Sequence, residues 1–163
     1  MPDVHLATGL LEHEGRVLLV ASRYPNHPEP LWNLPGGRQQ PGELLAETAV
    51  REVLEETGLH VEARELAYVS ESYDGDAHFL NATFVVVATS PFDKLRVTPR
   101  ERPTQGADHV VAVECVAIEE VASRIVVGVV REPLLAYLRG RLERRYAGFH
   151  EAGITIEWPS DSA

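Results

Sequence analysis

The segment from Leu34 to Leu59 reads LPGGRQQPGELLAETAVREVLEETGL. Nine of its positions fit one spaced pattern, G-x5-E-x7-R-E-V-x-E-E-x-G-L. They are Gly37, Glu43, Arg51, Glu52, Val53, Glu55, Glu56, Gly58 and Leu59. If each fixed position is filled at an average usage of roughly 5–7%, a chance match anywhere in the chain is well below ~10⁻⁵. The spacing of these residues is therefore a signal that amino-acid composition alone would not produce.

The second half of this segment is predicted to be a helix that follows a loop. Proline and glycine recur up to Gly42 and exclude regular structure there. From Glu43 to Thr57 neither occurs, and Leu, Ala, Glu and Arg, all good helix formers, dominate. Gly58 follows as a helix stop.

The predicted helix presents three carboxylates on one side. Glu52, Glu55 and Glu56 fall within one ~100° arc of the helix. Like charges four residues apart repel, so a hard divalent cation, which prefers oxygen ligands, is a natural partner. The plain alternative is a solvated acidic face with ion pairs such as Glu47 to Arg51 and Arg51 to Glu55. The apolar arc lies roughly opposite and should pack on a core; it consists of Ala46, Val50, Val53, Leu54 and Thr57.

The segment from Gly37 to Leu59 resembles the signature of the Nudix hydrolase family at every fixed position. Trp32–Gly37 is similar to the usual lead-in, and weaker similarity extends over about Val4 to Arg145. The resemblance implies a single domain over residues 1–163 with an α+β Nudix fold, a curved mixed β-sheet sandwiched between helices (α/β/α). It also implies hydrolysis of a diphosphate bond in a nucleoside diphosphate derivative, with Mg²⁺ or Mn²⁺ as cofactor.

The same resemblance implies roles for individual residues. Glu52 and Glu56 would be direct metal ligands, and Glu55 would be a ligand or would hold a metal-bound water. The Gly36 carbonyl would be a backbone ligand. Arg51 would orient the neighbouring glutamates through charge-assisted hydrogen bonds.

Two roles stay open at this point. Glu43 lies away from the acidic arc, so it is either a structural carboxylate at the helix N-terminus or, as in some family members, an auxiliary metal ligand. The general base is Glu52 in parts of the family and a glutamate on a later loop or strand elsewhere. This chain has His109 near that later position, and a histidine titrates in the right range to serve. A histidine at the start of a strand is also an ordinary structural residue.

The sequence gives less information about the substrate. Arg23 ends a strand and suits bidentate phosphate contact, and Gly37 and Arg38 are further candidates for contact with substrate. The Pro that some ADP-ribose-cleaving members have after the signature is replaced by Gly75. The expected substrate is a nucleoside di- or triphosphate. The alternatives are ADP-ribose, a nucleotide sugar, a dinucleoside polyphosphate, or a non-catalytic nucleotide-sensing module. A basic run in an acidic chain is either a solvated loop or a polyphosphate clamp; it comprises Lys94, Arg96, Arg100 and Arg102.

Composition agrees with a small enzyme. The chain has 163 residues, enough for one domain, and a net charge of −10, which argues against binding a nucleic acid polymer. Its single cysteine, Cys115, excludes an intrachain disulfide and indicates a reducing, cytoplasmic compartment. No signal sequence and no membrane span are expected. The expected partner is a small-molecule nucleotide, and the chain is expected to be a monomer or homodimer.

Alternating and apolar runs predict the remaining elements. A second long helix is predicted over Pro133–Tyr146, with Pro at its start, followed by a tail over 147–163 whose residues 154–158 are extended. The run Val85–Val87 predicts a central strand buried on both faces. Strands are predicted over Val4–Leu11, Arg16–Ser22, His60–Ser72, His78–Thr89 and Val110–Ile118.

Overall fold

The computed structural model describes residues 3–92 and 109–157. The strands are β1 (Asp3–Leu10), β2 (Glu12–His13), β3 (Arg16–Ser22), β4 (Leu31–Asn33), β5 (Gly36–Arg38), β6 (Val61–Asp74), β7 (Ala77–Ala88), β8 (Val110–Ala117) and β9 (Tyr146–Phe149). The helices are α1 (Leu45–Thr57), α2 (Val121–Arg124) and α3 (Gly128–Leu138), with 3₁₀ turns at Ile118–Glu120 and Glu143–Arg145. The basic run at 94–102 lies outside the described residues.

The strands form two sheets. The first sheet has the order β5-β1-β7-β6-β9, in which β1 pairs parallel with β7 and antiparallel with β5. In the second sheet, β3 pairs antiparallel with β2 and β4 and with β8. The protein thus combines a mixed sheet and an antiparallel sheet with three helices, and the expected α+β fold class is confirmed.

Helices cover both faces of the first sheet. A side chain at Gly9 of β1 would point at Val53 of α1, whose Cγ2 lies 2.6 Å from the Cβ position. The next residue, Leu10, belongs to a buried cluster with Leu134 of α3. Because neighbouring residues of a strand point to opposite faces, α1 and α3 lie on opposite sides of this sheet.

Helix α1 forms where the sequence predicts it. It begins at Leu45, two residues after Glu43, where the predicted helix begins. It ends at Gly58, whose φ of 80° is the left-handed conformation that suits glycine at a helix end. The Gly58 N–H donates to the Leu54 carbonyl at 2.9 Å. Its terminal turn is thus closed by the glycine of the signature.

The second long helix differs from its prediction. Helix α3 begins at Gly128, and Pro133 lies inside it rather than at its start. The chain leaves the helix after Leu138, and Tyr146 begins a strand. Proline often marks a helix start, but here the helix extends from Gly128 through Pro133, which has no N–H to donate. Pro133 and the two leucines after it are buried.

Two further expectations on strands were wrong. Val87 is 36% exposed, so the Val85–Val87 run is not buried on both faces, although β7 is the central strand of the first sheet. An edge strand forms instead at Tyr146–Phe149, where it pairs parallel with β6, and residues 154–157 of the expected extended tail form no strand. Trp158 lies outside the described residues. In the described part of the chain, no helix has the length and apolar character needed to cross a membrane.

Candidate active site

The segment 34–42 before helix α1, called the glycine loop below, includes β5 and is held against the helix by the pairing of β5 with β1. Gly36 and Gly37 pair with Thr8 and Ala7 of β1. A Cβ atom on Gly37 would stand 2.6 Å from the carboxyl carbon of Glu52. Real Cβ atoms essentially never come this close to another atom, so only glycine lets the strand approach this carboxylate.

Arg51 is the centre of an ion-pair network on the helix. Its Nε lies 2.6 Å from Glu43 Oε2, and its Nη1 lies 2.8 Å from Glu52 Oε1 and 3.1 Å from Glu55 Oε2. Its Nη2 also donates to the Arg38 carbonyl at 3.0 Å. One planar guanidinium therefore fixes three carboxylates and ties them to the glycine loop.

Glu43 is anchored just before the helix begins. Its Oε1 accepts hydrogen bonds from the Gln40 N–H at 2.8 Å and from Thr48 Oγ1 at 3.0 Å. The hydrogen bond from Arg51 lowers the pKa of Glu43 to about 2. This carboxylate is thus fully engaged in holding the loop to the helix.

Glu56 is the most buried of the signature carboxylates. It is 2% exposed, its Oε1 accepts the Gly36 N–H at 2.8 Å, and its Oε2 lies 3.4 Å from His109 Nε2. Burial raises the pKa of Glu56, although His109 and the Gly36 N–H favour the charged form. The structure therefore brings His109, 53 positions further along the chain, to the acidic side of the helix.

Glu52 also titrates abnormally. Burial, followed by the charge of Glu56, raises the pKa of Glu52 to about 7, while Arg51 acts in the opposite direction. The helical arcs predicted these carboxylates opposite the buried face, and this is wrong for two of them. Glu52 and Glu56 are buried together with Val53, since the glycine loop covers this side of the helix.

The donor set fits a hard divalent cation. Glu52, Glu55 and Glu56 offer only oxygen atoms, as Mg²⁺ and Mn²⁺ prefer. Burial raises the pKa of Glu52 and Glu56, so both stay protonated to a higher pH than usual. A bound cation would favour their charged forms. Within residues 3–92 and 109–157, no three acidic, histidine or cysteine side chains already converge on one ion position. The carboxylates point instead at Arg51 and the Gly36 N–H.

The two candidate arginines lie at the edge of this region. Arg23 is exposed directly after β3, and its backbone N–H donates to the His109 carbonyl at 2.9 Å. Arg38 is exposed at the end of β5, where its carbonyl accepts from Arg51. Both backbones therefore belong to the segments that surround the carboxylates, and both residues are exposed.

A cavity of about 100 Å³ opens between the two sheets beside Glu56. Gly36, Gly37 and His109 line it next to the carboxylate. Burial, with a smaller contribution from the charge of Glu56, raises the pKa of the Tyr24 hydroxyl in its wall to about 12. Most of its other walls were not predicted from the sequence; they include Ser22, Asn33, Tyr68, Asn81 and Thr83.

One signal in the sequence pointed to this wall. Asn81 and Thr83 are polar residues two positions apart in a strand that is otherwise apolar after His78, so they face the same side. Nothing in the local pattern shows that Thr8, 75 positions earlier, hydrogen-bonds Thr83 at 2.7 Å.

Comparison with known proteins gives consistent results. A family model described as "NUDIX domain" matches residues 3–138. Over 76 residues the chain is 37% identical to a Xenopus laevis protein named "Nucleoside diphosphate-linked moiety X motif 6", an alignment covering 47% of this chain and 34% of that protein. Over 29 residues it is 72% identical to a Bacillus subtilis (strain 168) protein named "Putative 8-oxo-dGTP diphosphatase", covering 18% of this chain and 20% of that protein.

A solved structure shares the same fold. It is titled "NUDIX hydrolase from Nitrosomonas europaea" and has a TM-score of 0.69 at 22% sequence identity, covering 90% of this chain and 93% of that chain. The chain spans only about a third and a fifth of the length of the two curated relatives it matches.

Proposed function

This chain belongs to the Nudix family, and we propose that it hydrolyses a diphosphate bond in a nucleoside diphosphate derivative with the help of a divalent metal ion. The observation that supports this most is the complete glutamate set, which Arg51 and the glycine loop hold together and of which Glu56 lines the cavity. A diphosphate is highly anionic, so its hydrolysis depends on positioning and on charge stabilisation.

Glu52 and Glu56 are the proposed direct ligands of Mg²⁺ or Mn²⁺, with Glu55 as a further ligand or as the holder of a bound water. When bound, the ion neutralises charge on phosphoryl oxygens. The Gly36 N–H donates to Glu56 Oε1, which places Gly36 next to a proposed metal ligand. Its carbonyl therefore remains a proposed backbone ligand. Glu43 is proposed to be structural, since Arg51, Gln40 and Thr48 occupy its carboxylate.

Arg51 is a positioning residue in this proposal. It touches Glu43, Glu52 and Glu55 and would hold the last two in place while substrate binds. Arg23, Arg38 and Gly37 are proposed to contact the phosphates from the rim of the site.

Two groups compete for the role of general base. Glu52 has a pKa raised to about 7 in the metal-free protein, and a bound cation would favour its charged form, in which it can accept a proton. His109 lies next to Glu56 and lines the same cavity. Glu114, further along β8, is exposed and held by both Nη atoms of Arg124 at 2.9 Å, so it is not a candidate.

Nucleoside di- and triphosphates are the proposed substrates. The name of the Bacillus subtilis relative, "Putative 8-oxo-dGTP diphosphatase", agrees with this class. ADP-ribose, nucleotide sugars and dinucleoside polyphosphates are the alternatives within the same reaction class. A nucleotide sensor without turnover is the alternative from a different class.

The direct test is release of phosphate or pyrophosphate from a panel of these compounds with Mg²⁺ or Mn²⁺. We expect turnover of at least one nucleoside di- or triphosphate and a loss of 100-fold or more in Glu56→Gln, on the scale of a lost charge-stabilising group. Glu119→Gln, an exposed glutamate in the 3₁₀ turn, is the matched control and should keep full activity.

Two outcomes would contradict the proposal. Binding of nucleotides with no turnover of any compound would favour the sensor. Full activity in Glu56→Gln would refute the assignment of Glu56 as a metal ligand even if the enzyme were active.

A further inference from the structure

The loop between β3 and β4, residues 23–30, forms part of the wall of the site. It begins with Arg23, a proposed phosphate contact, and continues with Tyr24, which lines the cavity together with Glu56. The conformation of this loop therefore decides where two side chains lie relative to the carboxylates.

The sequence of the loop limits how its backbone can be anchored. Three of its eight residues are prolines, at positions 25, 28 and 30, and proline has no N–H to donate. The Arg23 N–H donates to the His109 carbonyl at 2.9 Å, and the His27 N–H closes a turn on the Tyr24 carbonyl at 3.1 Å. Side chains of the loop provide further anchoring.

These side chains bind the C-terminal segment 152–157. Asn26 Nδ2 donates to the Thr155 carbonyl at 2.7 Å, and Asn26 Oδ1 accepts from the Glu157 N–H at 2.9 Å. His27 Nε2 lies 2.9 Å from the same Thr155 carbonyl, and this nitrogen donates because a carbonyl can only accept. The Asn26 amide thus holds the segment at two points of its backbone.

The same segment is attached to the first sheet. Thr155 Oγ1 donates to Asp74 Oδ1 at 3.0 Å, and the Ala152 N–H donates to the Tyr73 carbonyl at 2.8 Å. Both partners lie at the end of β6, a strand whose residue Ser70 lines the cavity. The segment therefore connects the wall formed by the first sheet to the β3–β4 loop.

We propose that Asn26 is a positioning residue for substrate binding. By holding segment 152–157, it fixes the β3–β4 loop in the conformation that presents Arg23 and Tyr24 to a bound nucleotide. This rests on the proposed function, because the loop contacts a substrate only if a nucleotide lies beside Glu56. A loop that is fixed beforehand loses less conformational freedom on binding, which increases affinity and leaves the rate of bond cleavage unchanged.

The test is the steady-state kinetics of Asn26→Ala with the best substrate of the nucleotide panel and Mg²⁺. We expect KM to rise by about three- to tenfold, the scale of one or two exposed hydrogen bonds, while kcat changes by less than twofold. Amide exchange at the His27 N–H should become faster, because the turn that it closes is no longer anchored. Ser123→Ala, which removes a hydrogen bond to the Glu120 carbonyl outside the cavity, is the matched control and should change neither quantity.

A substitution in the segment itself tests whether the effect passes through it. Thr155→Val removes the hydroxyl that bonds Asp74 and keeps the Thr155 carbonyl, so it should also raise KM, by a smaller factor. Combined with Asn26→Ala it should raise KM no further, because a loop released from the segment no longer depends on how the segment is attached. Melting curves show whether each variant folds, and Thr155→Val provides the test if Asn26→Ala does not.

The outcomes separate this inference from the proposed function. Turnover with a KM in Asn26→Ala within twofold of wild type would overturn the inference and leave the proposed function intact. A loss confined to kcat, or factors in KM that multiply in the double variant, would overturn it as well. If nucleotides bind without turnover, the proposed function fails, and a three- to tenfold weaker binding to Asn26→Ala in calorimetry would still support the inference. A protein that binds no nucleotide would contradict both.

Discussion

At the scale of single residues, the site consists of carboxylates under unusual constraint. Glu43 is held charged by Arg51, whereas Glu52 and Glu56 are buried and hold their protons more tightly than usual. The same guanidinium contacts Glu52 and Glu55, so charge on the helix is balanced only in part. A cation would complete that balance.

The raised pKa of Glu52 predicts a pH dependence of stability in the metal-free protein. The folded state releases this proton at about pH 7 and the unfolded state near 4.5. Between these values the folded state binds more protons, so the free energy of unfolding falls as pH rises. We expect a loss on the order of 3 kcal/mol, measured by urea unfolding in a chelator from pH 4.5 to 7.5.

A variant and a cation serve as the controls for this pH dependence. Glu52→Gln should flatten the profile over this range. Mg²⁺ should raise the melting temperature more at pH 7.5 than at pH 5. Profiles of equal slope from pH 5 to 7 in the metal-free wild-type protein and in Glu52→Gln would show that the pKa of Glu52 is not raised.

At the scale of elements, the site is a junction between strand β5 and helix α1. The spacing of the signature predicted the helix, because helix formers act locally. The expectation that the segment before it holds no regular structure was wrong, since Gly36–Arg38 forms β5. The contact between the two elements was not predictable in detail, because Gly36 reaches Glu56 only when β5 pairs with β1. That pairing also explains why Glu52 and Glu56 are buried rather than solvated.

This junction predicts the effect of a single methyl group. Gly37→Ala places a carbon 2.6 Å from the Glu52 carboxyl carbon, so Glu52 has to leave its place beside Arg51. We expect kcat/KM to fall by tenfold or more while the fold persists. Gly128→Ala is the control, because the nearest atom to its new carbon is 3.9 Å away, on Arg131. Near wild-type kcat/KM in Gly37→Ala would contradict the close packing of loop and helix.

At the scale of the whole molecule, the segment after β9 joins the two sheets. Ala152 N–H donates to the Tyr73 carbonyl at 2.8 Å at the end of β6. Further along, the Thr155 carbonyl accepts from Asn26 Nδ2 at 2.7 Å, and the Glu157 N–H donates to Asn26 Oδ1 at 2.9 Å. This docking onto the β3–β4 loop was not predicted, because no local pattern indicates which loop a tail meets.

Removal of the Asn26 side chain should have a local effect. Asn26→Ala deletes both hydrogen bonds to the tail, so amide exchange over residues 152–157 should become faster. The free energy of unfolding should fall by only about 1–2 kcal/mol, since these bonds are exposed. Ser123→Ala, which removes a bond to the nearby Glu120 carbonyl, should leave exchange of the tail unchanged. Unchanged exchange in Asn26→Ala would show that the tail is held by other contacts.

By itself the sequence determined the helix and the identity of the carboxylates proposed to bind metal, because these depend on residues within one or two turns of each other. The two sheets, the burial of Glu52 and Glu56, and the arrival of His109 beside them depended on the tertiary structure. So did the hydrogen bond between Thr8 and Thr83, which are 75 positions apart. Contacts of this kind follow from the register between distant strands, which hydrophobic packing of the complete chain selects and no short pattern encodes.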